Sequence, residues 1–340
     1  MNGRMLDGAA RMAGRAESVV RTVTLPLRAK GFPYRPPTVP HGVEVPEERA
    51  RLGADYDTGW AREPLPSAVR SVVREGPMRV VIEALTRPEV LGRDRIADLT
   101  RRADDATRDG DRPPAVIFVP NHHSHLDTGL MIRSIPRVFR RHLVVAAAAD
   151  YFFDARWKAV MSALTLNAVP IDRDSGGRKS ADLLKELLDD GWSLVIYPEG
   201  GRSPDGWGQS FKGGAAYLAA RTGATVVPAY IDGTDSVFGK GMKRPKPGRT
   251  RVVFGSPIRP DEGENTRRFN ARIEAEVTAL ADESTSDYWS ARRRRATAAN
   301  PSLTGPDYNG WRRAWVLSER RQLGIAGLRR RQKRRWPNLD

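Results

Sequence analysis

Short apolar runs and segments of helical period take turns along the chain between residues 115 and 280. The run "AVIFVP" at 115–120 is wholly apolar and rich in β-branched residues, the pattern of a strand covered on both faces. Residues 142–149 ("HLVVAAAA"), 193–198 ("SLVIYP"), 225–231 ("TVVPAYI") and 250–255 ("TRVVFG") repeat it. The stretches between them read as helices. "LMIRSI" follows the first strand, and Leu183, Leu184, Leu187 and Leu188 share one face of "SADLLKELLDDG", which Gly191 stops. "GGAAYLAARTG" supplies another, and Phe269, Ile273, Val277 and Leu280 mark a terminal helix. This alternation predicts an α/β fold with a mixed, mostly covered sheet flanked by helices.

The flanks are patterned differently. Before about residue 65 the chain is rich in Pro and Arg without sustained period, which predicts an extended arm over 1–65. Over 66–88, Val69, Val72, Val73, Val80, Val81 and Leu85 recur at helical spacing among Arg70, Arg74 and Arg79, with a break at Gly76-Pro77. That predicts two amphipathic helices, resting either on a membrane or on the core; periodicity does not separate the two. The main domain is expected at 89–285 and a basic tail at 286–340.

Composition narrows the chemistry. Cysteine is absent, so disulfides, thiolate metal sites and a cysteine nucleophile are excluded. The first twenty residues hold no apolar h-region, and no run of about 18 uncharged apolar residues occurs, so the expectation is a cytoplasmic protein with no signal peptide and no transmembrane helix. The formal net charge is +16, and residues 291–340 carry fourteen Arg or Lys against three acids, so the tail supplies +11 of it. Such a block suits an anionic membrane or nucleic-acid phosphates alike. Trp311, Trp315 and Trp336 among the cations fit either surface.

In such folds ligands bind beyond the strand C-termini, where three clusters fall: "PNHHSHLD", "PIDRD" at 170–174 and "YPEGGRS". The string "HSHLDT" at 123–128 is similar to the H-x-H-x-D-H signature of metallo-β-lactamases. Thr128 occupies its sixth place and only His142 lies beyond, too few ligands to complete a site, so no metal is expected. A His122/Asp127 pair needs less, because an acidic partner fixes the tautomer of a histidine base. Read alone, a capping aspartate beside an ordinary histidine is an equal alternative.

The clusters together resemble the glycerolipid acyltransferase family. "NHHSHLD" is similar to its N-H-x4-D motif, "VPIDRD" to its second block, "YPEGGRSPDG" to its third, usually F-P-E-G-x-R-S, and "VVPAYIDG" to its fourth, with Pro228. "FKGGAAYLA" and "GSPI" also match, so the resemblance covers roughly 85–285. It implies that His122 deprotonates an acceptor hydroxyl, oriented by Asp127, for direct attack on an acyl thioester. It also implies that Arg173, Glu199, Gly200 and Arg202 frame the acceptor's phosphate, with Glu199 holding an arginine or a hydroxyl; an arginine fork suits phosphate on physical grounds. Lys240, Lys243, Arg244 and Lys246 form a basic loop that suits coenzyme A phosphates or a membrane as well as plain surface charge.

Three departures stand out: Tyr197 replaces the usual Phe, Gly201 stands where Thr is common, and Asn167-Ala168 replaces a glycine often seen before the second block. The expected partners are acyl-CoA or acyl-carrier protein as co-substrate, a lysophospholipid acceptor and the anionic inner face of a membrane, with no cofactor. His123 and His125 are expected to be supporting or incidental. The competing reading is a nucleic-acid-binding protein that relies on the tail.

Overall fold

The computed structural model describes residues 56–172, 178–203, 207–239 and 242–305. They fall in one of the chain's two compact units, Ala50–Asp340; the other, Met1–Arg49, lies outside the described residues. So do Arg173, Lys240, most of the arm and the tail from 306 onward, on which the nucleic-acid reading rests.

Seven strands form one sheet: β1 Pro88–Leu91, β2 Val116–Pro120, β3 Leu143–Ala148, β4 Ala168–Ile171, β5 Ser193–Val195, β6 Thr225–Asp232 and β7 Thr250–Phe254, in the order β1-β7-β6-β2-β5-β3-β4. Strands β2 to β6 are mutually parallel, β7 runs antiparallel to β6, and β1 pairs parallel with β7. The expected mixed α/β sheet is therefore present. The helices are α1 Pro64–Glu75, α2 Pro77–Thr86, α3 Ala97–Arg108, α4 Asp127–Ser134, α5 Arg137–Arg141, α6 Ala149–Phe152, α7 Arg156–Leu166, α8 Arg178–Asp189, α9 Gly214–Thr222, α10 Thr234–Phe238, α11 Thr266–Thr285 and α12 Tyr288–Ala296.

Alternation along β2 explains why its run is apolar throughout. Phe118 joins Leu130, Phe139 and Phe254 under the α2–α4 side, while Ile117 and Val119 face Leu187, Phe269 and Ile273 under α8, α9 and α11. Both faces are covered, as parallel strands require.

Four sequence expectations change. The run at 193–198 is a strand only to Val195, because the chain turns away at Pro198 to build a loop. β1 and β4 are strands whose brevity hid them, and α3 and α7 were not anticipated. The segment from 286 does not begin as a tail: Asp287 caps α12 by accepting from Ser290 N at 3.0 Å, and α12 folds back on α11. Arg294 pairs there with Asp282, and Arg292 Nη1 lies 2.6 Å from Glu276.

The amphipathic pair exists, broken at Gly76 as expected, and of the two orientations left open it turns its aliphatic side outward. Arg70 and Arg74 point inward, 2% and 5% exposed, whereas Leu65, Val72 and Val80 are 75%, 70% and 65% exposed. The buried arginines are satisfied mainly by main-chain carbonyls: Arg70 Nη1 donates to Ala61 O, and Arg74 donates to Thr165 O and Arg140 O. Leaving a large aliphatic side chain in water forgoes about 1.5–3 kcal/mol. Among the described residues no helix is long and apolar enough to cross a membrane.

Candidate active site

The site is built at the C-terminal ends of β2, β5 and β6, where parallel strands leave their loops on one side of the sheet. Asn121 ends β2 by imitating a further peptide. Its amide donates to Ile231 O at 2.9 Å and accepts from Ile231 N at 2.6 Å, so the strand's exit is locked against β6 before the chain turns.

The turn brings His122 and Asp127 together. His122 Nδ1 lies 2.9 Å from Asp127 Oδ2, which also accepts the backbone N–H of His123 at 2.7 Å and of Ser124 at 2.8 Å. Thr234, the first residue of α10, donates its hydroxyl to Asp127 Oδ1 at 2.6 Å. Burial alone would push this fully buried carboxyl up; the hydrogen bonds from His122, Thr234 and Ser124 outweigh it and hold it below the usual carboxylate range. An ionised Asp127 fixes the proton of His122 on Nδ1 and leaves Nε2 as the acceptor. The ring is held from the side as well, stacked on Tyr197 with centroids 4.1 Å apart and planes 25° apart. Tyr197 in turn reaches Thr128 through its hydroxyl at 3.1 Å, and burial followed by the nearby Asp127 charge pushes its phenol well up, keeping it protonated.

The loop after β5 clasps the backbone of the same histidine. Glu199, 3% exposed, accepts from His122 N through Oε1 and from Gln209 N through Oε2, both at 2.8 Å, while Ser203 N donates to His122 O at 2.9 Å. The Glu199 carboxylate thus orients main chain, a task the motif did not suggest. Gly200 has φ +68°, a conformation glycine tolerates best, and a side chain there would strike Lys212.

Arg202 stands at the mouth. It pairs with His125 Nε2, and its guanidinium lies 5.3 Å over the Tyr151 ring on α6. His125 thus makes the contact with Arg202 that a supporting residue would make. Its imidazole is held below its ordinary range by burial and then by the Arg202 charge, which suits the neutral, accepting form. His123 is also shifted down, by burial, and its Nε2 is buried with no partner. Lys243, Arg244 and Lys246 are exposed on the loop leaving α10, which starts beside the histidine turn through a Ser124–Gly239 bridge. Among the described residues no group of three or more His, Asp or Glu side chains is placed to hold a metal ion. Thr234 and Tyr151 escaped sequence reasoning because they are distant in sequence and belong to no block; the short helix after "YIDG" was the one available signal for Thr234.

Residues 102–232 match the sequence model of the Acyltransferase family. The chain is 35% identical over 149 residues to the 1-acyl-sn-glycerol-3-phosphate acyltransferase LPAT1 of Arabidopsis thaliana chloroplasts, covering 43% of this chain and 39% of that protein. It is 29% identical over 157 residues to the enzyme of that name from Cocos nucifera, covering 44% and 48%, and 28% identical over 160 residues to the alpha form from Ovis aries, covering 44% and 52%. The matched region thus spans about half or less of these relatives. A solved 1-acyl-sn-glycerophosphate acyltransferase, PlsC from Thermotoga maritima, aligns over 64% of this chain and 96% of that one at 21% identity and a TM-score of 0.38, too loose a likeness to carry argument.

Proposed function

We propose, from the premise that the central domain belongs to the glycerolipid acyltransferase family, that this protein moves a fatty acyl group from a thioester to the free hydroxyl of a lysophosphatidate-like acceptor. The observation that carries the reading is the His122–Asp127 contact at 2.9 Å, held by Thr234, Tyr197 and Glu199. His122 Nε2 takes the acceptor's hydroxyl proton as the oxygen attacks the thioester carbonyl. A carbon–oxygen bond forms, the carbon–sulfur bond breaks, and the departing thiolate recovers the proton from the imidazolium. No acyl-enzyme is formed. Arg202, steadied by His125 and Tyr151, offers its guanidinium to the acceptor's phosphate, and Arg173 is the second candidate for that task. The thioester is acyl-CoA or acyl-carrier protein, and Lys243, Arg244 and Lys246 are the cations available to its phosphates.

The acceptor is an amphiphile, so the enzyme works at a membrane surface. The outward Leu65, Val72 and Val80 support this, as do Trp157 and Met161 of α7, which are 68% and 51% exposed beside α1. The test is His122→Ala assayed with radiolabelled acyl-CoA and a panel of lysophospholipids. Loss of at least about a thousandfold in rate is expected of a missing base, in a protein that still folds although Asp127 has lost one donor at a cost of about 1–3 kcal/mol. Near-normal turnover by that variant would overturn the mechanism.

A further inference from the structure

The sheet has a second charged hollow, at the end away from the dyad. It lies between α1, α5 and the entry to β3, has a volume of about 510 Å³, and gathers Arg62, Arg74, Arg137, Arg140 and Arg141 around one carboxylate, Glu75. Trp192 and His142 close one side, their rings 5.3 Å apart in an edge-to-face contact. The dyad follows the C-terminus of β2, whereas this hollow precedes the N-terminus of the parallel strand β3. At about 3.3 Å per residue, the length of β3 separates the two by roughly 17 Å. One ligand headgroup cannot occupy both.

Two observations make the hollow more than a run of surface arginines. Its carboxylate is already committed, since Glu75 Oε1 lies 3.0 Å from Arg140 Nη1. Arg74 is 5% exposed, and its Nη2 is buried without a hydrogen-bond partner; so is Nε of Arg140. Burial, then the charges of Arg70 and Arg140, pull the Arg74 guanidinium down to about 9. Cations crowded together with too little counter-charge are expensive to hold in a folded chain. An adjoining hollow of about 500 Å³ shares Arg137 and Arg140 and is also rich in arginine, but its wall lacks the buried Arg74 and includes Asp104 and Asp105.

We propose that the α1–α5 hollow is a non-catalytic anion site that takes a phosphate group, with Arg137 and Arg141 at its exposed rim as the ligand's main contacts. Planar guanidinium forks match phosphate oxygens better than any other side chain. Two sources present that chemistry, an anionic phospholipid headgroup and a free phosphate, and α1 carries the outward Leu65 and Val72 on the flank of the same helix. The proposal uses no catalytic residue and stands apart from the acyl-transfer reading.

The experiment compares the full-length protein with Arg137→Ala/Arg141→Ala and with Arg267→Ala/Arg268→Ala, an exposed pair on α11 remote from the hollow. Melting is followed against inorganic phosphate, with chloride at matched ionic strength as the reference. The expected result is a phosphate-dependent rise in melting temperature for the parent and for the α11 variant, and at least about tenfold weaker phosphate dependence for Arg137→Ala/Arg141→Ala. Flotation on phosphatidylcholine vesicles with and without phosphatidic acid then assigns the source. Dependence on Arg137 and Arg141 in both arms identifies a headgroup site, and dependence in the melting arm alone identifies a soluble phosphate. Equal phosphate response in all three proteins, or equal loss in both variants, overturns the proposal.

Discussion

Four donors converge on the Asp127 carboxylate, and only one of them is the histidine it serves. The other three fix the carboxylate's plane, so His122 has one direction in which to present Nε2. Because the carboxyl is held below its usual range, the native state gains from the ionised form above about pH 4 and loses that gain as pH falls further. Thr234 is the donor that substitution can remove cleanly. Thr234→Val keeps the shape and leaves Oδ1 buried without its partner, at a cost of about 1–3 kcal/mol in stability. A fall in kcat of about tenfold with KM little changed is expected, with recovery in Thr234→Ser; an unaltered kcat and melting curve in the valine variant would remove Thr234 from the mechanism.

At the scale of elements, α1 and α2 show how a helix can be amphipathic with its apolar side outward. Arg70 and Arg74 are anchored inward by carbonyls, and Arg133 of α4 reaches Glu83 of α2 at 2.5 Å, fastening the pair to the helix that begins with Asp127. Gly129 allows the approach, since a side chain there would meet Ile82 at 2.8 Å. Replacing Val72 and Val80 by Asp is therefore expected to leave the stability within about 0.5 kcal/mol of the parent, with little change in melting temperature, while reducing flotation on anionic vesicles severalfold. A fall in melting temperature without loss of flotation would mean that these valines serve the fold. The sequence announced this pair and the break at Gly76, but period alone is silent on which face turns inward. It also announced the strands that are buried on both sides, and missed β1 and β4, whose four residues each are too few to show a pattern. The replacement of glycine at Asn167 becomes intelligible only in three dimensions. That residue has φ +49°, and its side-chain amide donates to Leu143 O at 3.0 Å, so asparagine fills a left-handed position and ties the start of β3 to β4. The dyad was legible because its partners lie five residues apart; the grip of Glu199 on the His122 backbone spans 77 residues and was not.

For the whole molecule, the packed chain continues past 285 at least as far as 305. Beyond α12, Leu303 O accepts from Gly208 N at 2.9 Å, and Gly305 packs so closely on Trp207 that a side chain would overlap its ring. Trp207 O in turn accepts, at 2.6 Å, the hydroxyl of Ser203, the same residue whose backbone N–H holds His122 O. A chain ending at 290 is thus expected to melt several degrees lower than one ending at 305, and to lose activity. Equal melting of the two truncations would show that residues 291–305 contribute nothing to the fold.

The outward aliphatic face of α1 and α2 also governs how the protein behaves when no lipid is present. Two copies can shield their valines only by meeting face to face, and the large positive charge opposes that encounter. Added salt shortens the Debye length to roughly 3 Å at 1 M and weakens the opposition. Light scattering is thus expected to show self-association growing with ionic strength, over the same range in which adsorption to anionic vesicles fades. The protein then exchanges one neighbour for another as its charge is screened.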